Sequence, residues 1–331
     1  MPVAGPPRVD LHGHAGRCFL AGLGGGDPFV RTLGAEDIRA ALAAAAVSSV
    51  AAITLSTVAD LRVLAPDPVK GLAASREFGR GEAYGDHRRQ LDAITSALAD
   101  LGVPVVVSAT EVERAWAGGR TAVLLSCEGG DFLEGRLEAL AEARAAGVSS
   151  LTLVHYRVNE IGDVQTEEPV HGGLTGFGRE VVAECNRLGV IIDCAHATFK
   201  TTADVLATSS QPVMVSHSHL DHEGRPHPRL LSREHASAVA TAGGVIGAWP
   251  SGVISNSLAD FADEIIRLTD LVGTDHVGIG TDMDANYRPV LRAYADFAVL
   301  PGLLADRGLS EAECDQVLGA NALRLLAAVS G

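Results

Sequence analysis

The chain has 331 residues, 47% of them hydrophobic and 20% charged, with a net charge of −15. It can bury a large core, but its charge repels phosphate backbones, so no nucleic acid is expected as a partner. No membrane partner is expected either, since the alanine-rich run around residues 40–52 is too short and too interrupted to span a bilayer. The opening "MPVAGPPRVD" lacks the basic-then-apolar order of a signal peptide. The 5 cysteines (Cys18, Cys127, Cys185, Cys194, Cys314) are odd in number, without CxxC spacing. They read as reduced thiols of a cytoplasmic protein.

Short β-branched runs alternate with longer helical stretches along the chain. Strands are expected at 8–13, 49–55, 122–127, 150–155, 190–196, 213–217, 244–249 and 276–282. Helical patterns fall between them in "AEDIRAALAAAA", "LEALAEARAAG", "GFGREVVAECNRLG" and "FADEIIRLTDLVG". Such alternation points to parallel βαβ units, hence an α/β fold of the (β/α)8 TIM-barrel type, with a doubly wound sheet as the alternative. The whole chain, 1–331, reads as one barrel domain. Residues 56–121 form an irregular excursion between the second and third strands. A helix from about Asp86 to Leu101 and an added short strand in "VPVVVS" are expected there.

The expected strands end in residues of one chemical kind. The first ends in "DLHGH", with His12 and His14; the next carry Glu128, His155, His196, His217 and Asp282. In such a barrel the C-terminal ends of the strands form the active-site face. Residues i and i+2 of a strand share a face, so His12 and His14 can both reach one ion. Each residue has an ordinary reading when taken singly. A lone histidine is often a core residue, Glu128 suits a helix N-terminus, and Asp282 suits an N-cap. Together they favour a metal site. Four imidazoles and a carboxylate, without paired cysteines, suit two divalent ions, zinc first among them, with Glu128 as the bridge. In "SHSHLDHEGRPHPRLL" only His217 sits at a strand tip. His219, His222 and His227 read as solvated loop residues. Arg225 or Arg229 is either a surface charge or a clamp for an anionic group such as a carboxylate.

Several runs together resemble the membrane (renal) dipeptidase family of the amidohydrolase superfamily. They are "GLTGFGREVVAECNRLGVIIDCAHAT", "EGGDFLEG", "SSLTLVHYRVNEIGD", "PVMVSHSHL", "HPRLLS" and "DHVGIGTDMDA", which follow the family's order over nearly the whole chain. Residues 56–121 match poorly. The resemblance implies a zinc-dependent dipeptidase acting through a metal-bridging hydroxide. His12 would bind one ion, Glu128 would bridge two, and His196 and His217 would bind the second. His155 would stabilise the developing oxyanion, Arg229 would hold the substrate carboxylate and Asp282 would handle protons. Where the family has aspartate two residues after the first histidine, this chain has His14, which can bind zinc but brings no negative charge. The expected partner is a dipeptide-like small molecule, with a homodimer as the one protein assembly considered. Two alternatives stand beside this reading. One is a related barrel enzyme performing amide or lactone hydrolysis, or decarboxylation, on another small molecule. The other is a non-catalytic metal-binding protein on the same fold.

Overall fold

The computed structural model describes residues 5–20, 35–68, 70–224 and 226–330. In chain order its first strands and helices are β1 (Arg8–Val9), α1 (Ala35–Val47), β2 (Val50–Val58), β3 (Leu64–Asp67), β4 (Gly71–Ala74), α2 (Glu82–Leu101) and α3 (Ala109–Ala117). Then come β5 (Ala122–Glu128), α4 (Glu138–Ala145), β6 (Val148–Thr152), α5 (Gly176–Leu188), β7 (Ile191–Asp193), α6 (Phe199–Thr208), β8 (Met214–Ser218), α7 (Arg233–Thr241), β9 (Val245–Ala248), α8 (Leu258–Val272) and β10 (Val277–Ile279). Helices α9 (Leu300–Ala305), α10 (Glu311–Asp315) and α11 (Asn321–Ser330) follow.

Eight strands pair in the order β1-β2-β5-β6-β7-β8-β9-β10, all in parallel. The ends of this sheet meet: Leu11 N donates to Ile279 O at 2.9 Å, and Asp10 bridges Ile279. The sheet thus closes into the barrel expected from the strand–helix alternation. Every residue of β2 and of β5 is buried, as a strand covered on both faces must be. Four outer helices begin on a hydroxyl that accepts from a first-turn amide: Thr175, Thr198, Ser232 and Ser257 cap α5, α6, α7 and α8. Two glycines set the close packing beneath the site. A Cβ at Gly247, in β9, or at Gly280, just past β10, would lie 1.8 Å from the Ser216 carbonyl oxygen, so both segments approach β8 without side chains.

The excursion differs in detail from the sequence expectation. The second strand runs on to Val58, and an antiparallel hairpin, β3–β4, precedes the expected helix. Residues 103–108 are not a strand. Pro104 has no amide hydrogen, and only Val105 forms an isolated bridge, to Val123, before α3 begins. Among the described residues no helix is long and apolar enough to cross a membrane. The cysteines Cys18, Cys127, Cys185, Cys194 and Cys314 are buried and free of disulfides.

Candidate metal centre and active site

The site is built at the barrel mouth by short strands that stop early. His155, His196 and Asp282 each lie three residues past a strand end, at Thr152, Asp193 and Ile279 respectively. His196 and Asp282 take left-handed backbone angles, φ 67° and 52°, which turn their side chains inward. Glu128 ends β5 and His217 lies within β8. His12 and His14 are not on a regular strand, because β1 stops at Val9 and only isolated bridges at Asp10, Gly13 and His14 continue it. Their imidazoles still converge, with Nε2 atoms 3.2 Å apart.

Two groups of donors share one carboxylate: His12, His14 and Glu128, and Glu128, His196 and His217, all buried. Glu128 Oε1 is 3.3 Å from His12 Nε2 and 3.2 Å from His196 Nε2, while Oε2 is 3.3 Å from His14 Nε2. The Nε2 atoms of His196 and His217 are 3.2 Å apart. Ligands around a tetrahedral zinc, at bonds near 2.0–2.1 Å, stand about 3.3 Å from each other, so the donor spacing fits.

The hydrogen bonds behind two imidazoles also fit. His14 Nδ1 is 3.1 Å from the Ser56 carbonyl, which only accepts, so Nδ1 carries the proton and Nε2 keeps its lone pair. Ser216 Oγ gives its one proton to Asp193 Oδ2 at 2.7 Å. It can then only accept from His217 Nδ1 at 2.9 Å, which again leaves a lone pair on Nε2. Asp193 holds this arrangement by accepting also from Thr152 Oγ1 and from the Ala195 and Ser216 amides. On the other side Asp10 accepts from Tyr294 OH and from Thr281 N and Oγ1, tying the His12 segment to the Asp282 segment.

Burial opposes ionisation of Glu128, yet the imidazoles of His155 and His12 hold its carboxyl well below the usual range. Burial also disfavours a charged His155. The carboxylates of Asp60 and Glu128 outweigh it and raise the imidazole to about 9. Asp282 is pushed up to about 6 by burial, against the pull of His14. Its Oδ2 accepts from Trp249 Nε1 at 3.3 Å, and its Oδ1 is 3.6 Å from His14 Nε2. It begins no helix, so the N-cap reading fails. Asp284, two residues on, also has a left-handed φ of 66° and accepts from the Gly16 amide at 2.7 Å.

Arg229 is 2% exposed. Its Nη1 donates to Gln165 Oε1 at 2.9 Å, and its Nη2 is 3.0 Å from His217 Nε2. Among the described residues its Nε has no hydrogen-bond partner. Among the described residues no carboxylate lies within ion-pair distance of this buried cation; the Trp249 ring faces it at 5.6 Å. The loop before it folds back on β8: Leu231 N donates to His219 O at 2.7 Å, and Ser218 Oγ to Arg229 O at 2.7 Å. That fold-back corrects one expectation. His219 is fully buried, not solvated, and packs edge-on against Phe261. His222 is half-buried and pairs with Glu264, and His227 is half-buried. Arg225 lies outside the described residues.

These groups face a cavity of about 540 Å³, lined by Glu128, His155, His196, His217, Arg229 and Asp282 among others. The sequence reading had not singled out Asp10, Asp60, Gln165, Asp193 or Trp249. Asp60 lies two residues past "LSTV", and running the second strand on to Val58 would have marked it as another acid at a strand tip.

The family model for membrane dipeptidases (peptidase family M19) matches residues 48–331. Dipeptidase aclJ of Aspergillus oryzae is 34% identical over 220 residues, covering 63% of this chain and 51% of its own length. Dipeptidase verJ of Clonostachys rogersoniana is 31% identical over 229 residues, covering 67% of this chain and 59% of its own. The chain thus spans about half the length of the curated relatives it matches. In fold it is similar to the crystal structure of dipeptidase AC, a metallopeptidase, with a TM-score of 0.80 at 20% identity over 98% of this chain and 99% of that one. With a closed parallel barrel, donors gathered at its mouth and a family match over most of its length, the chain belongs to the membrane dipeptidase family, peptidase family M19.

Proposed function

We propose that this chain is a metal-dependent hydrolase that cleaves the amide bond of a dipeptide or dipeptide-like molecule. One observation carries the proposal: two three-donor groups share Glu128 at the floor of a cavity that also holds a buried guanidinium with no carboxylate partner among the described residues. His12, His14 and Glu128 would hold one divalent ion. His196, His217 and the same Glu128 would hold a second, with zinc the metal best suited to these donors. Two such ions supply Lewis acidity and water made nucleophilic near neutral pH.

The protein's own residues do the rest. Arg229 binds the free carboxylate of the substrate and so fixes the amide over Glu128. His155, held charged by Asp60, donates a hydrogen bond to the carbonyl oxygen as negative charge develops on it. Asp282 takes a proton from the attacking water and returns it to the amine as the C–N bond breaks. The His217 lone pair that meets Arg229 Nη2 would serve an ion instead, leaving Nη2 to the substrate carboxylate.

The test is an assay of purified, zinc-supplemented protein against a panel of free dipeptides, with amino-acid release as the readout. Zinc-dependent release supports the proposal. Hydrolysis of lactones, or decarboxylation of aromatic acids, with no dipeptide cleaved would replace it.

A further inference from the structure

Ring and hydrogen-bond contacts run in a row across the cavity. Phe19 packs edge-on against His14 at 5.2 Å, His14 meets His12, His12 stacks on His217 at 4.4 Å, and His217 meets Arg229. Arg229 touches the donor cluster at His217, and Phe19 touches it at His14. Phe19, Val58, Leu61, Leu64 and Leu72 line the same cavity, with the exposed cations Arg17 and Arg62 also on its wall.

Leu64 and Leu72 come from the β3–β4 hairpin. Its register pairs Leu64 with Ala74 and Pro66 with Leu72. Directly opposed residues and residues two apart share a face, so both leucines project from one side of the hairpin. Leu61, Leu64 and Leu72 are only half-buried, so their hydrocarbon is offered to the cavity. The neighbouring cation, Arg62, is engaged: its Nε donates to Asp86 Oδ1 at 2.9 Å.

We propose that this wall selects a large apolar side chain on the residue N-terminal to the scissile bond. The inference rests on the dipeptidase reading above. With the substrate carboxylate on Arg229 and the amide over Glu128, the N-terminal residue extends toward His14 and Phe19. An apolar pocket of this kind, with few polar groups to orient the ligand, favours hydrocarbon of matching bulk.

The experiment compares kcat/KM of the zinc-supplemented protein for Phe-Gly, Gly-Phe, Ala-Gly and Glu-Gly. In parallel, calorimetry titrates the reduced-amide analogues of Phe-Gly and Ala-Gly, which cannot be cleaved. Phe-Gly should exceed Ala-Gly by at least roughly tenfold, and should also exceed its isomer Gly-Phe. Leu72→Ser and, separately, Leu64→Ser should bring the Phe-Gly to Ala-Gly ratio toward one. Equal rates for Phe-Gly and Ala-Gly, a preference for Gly-Phe, or a preference for Glu-Gly would each overturn the inference and leave the dipeptidase reading standing. If no peptide is cleaved, the titration decides. Tighter binding of the Phe-Gly analogue upholds the pocket while the dipeptidase reading fails, and equal binding overturns the pocket as well.

Discussion

Asp60 Oδ1 lies 2.7 Å from His155 Nδ1, and the other oxygen of Asp60 accepts the Tyr156 amide at 3.0 Å. A buried carboxylate on one ring nitrogen fixes the orientation and charge of an imidazole whose other nitrogen faces the cavity. Asp60→Asn keeps the shape but loses the charge. We expect kcat to fall about 10²-fold, the scale of a small misplacement of a reacting group, with KM and metal content unchanged. Steady-state kinetics with metal analysis checks this, and a parallel loss of metal would reduce Asp60 to a structural role.

Metal content tests Glu128. The proposed centre should hold two divalent ions per chain by elemental analysis. Glu128 contributes to both donor groups, so Glu128→Ala should lose one ion or both. One tightly held ion in the wild type, unaffected by the substitution, would rule out a shared carboxylate.

Arg229 is tested by removing its target rather than only the residue. Truncating one side of a buried charge pair costs about 2–5 kcal/mol. Arg229→Ala should therefore reduce kcat/KM for free dipeptides by roughly 10²-fold or more, and reduce it far less for their C-terminal amides. Equal losses on both substrates would show that the guanidinium only supports His217 or Gln165.

Asp282→Asn separates proton transfer from binding. The amide still fills the space beside Trp249 Nε1 but cannot take a proton. We expect a folded, metal-loaded variant with kcat lowered about 10²–10⁴-fold. Near-normal turnover would remove Asp282 from the chemistry.

Stability toward acid should depend on His235, far from the metal donors. It is 1% exposed, its Nε2 is 2.9 Å from Thr202 Oγ1, and burial depresses its pKa to about 4. A depressed base stays neutral when folded and binds a proton when unfolded. Its contribution is full above the unfolded value of 6.5 and is lost as pH falls toward 4. Between pH 7.5 and 5 that loss amounts to about 2 kcal/mol. Denaturant unfolding of the wild type should show it, and His235→Gln should remove it, flattening the pH dependence. An unchanged slope would mean that His235 charges freely in the native state.

The strand–helix alternation by itself determined parallel βαβ units, because such strands must bury both faces under helices, and the meeting of Asp10 and Leu11 with Ile279 decided for a closed barrel over a doubly wound sheet. The recurrence of histidine and acid at strand tips likewise placed His12, His14, Glu128, His155, His196, His217 and Asp282 at one mouth, since in a barrel all C-terminal tips converge. Long-range contacts decided what no local pattern carries. The partnership of Asp60 with His155 spans 95 positions and that of Asp10 with Tyr294 spans 284, so neither leaves a periodic trace. The burial of His219 depends on Leu231 returning to pair beside it, although "SHSHLDHEGRPHPRLL" is polar enough to read as an exposed loop. The inward turn of His196 and Asp282 needs left-handed backbone, which the packing around short strands imposes on residues that do not favour it. Composition and spacing thus set which residues reach the mouth, and tertiary contacts set how each one points and what charge it carries there.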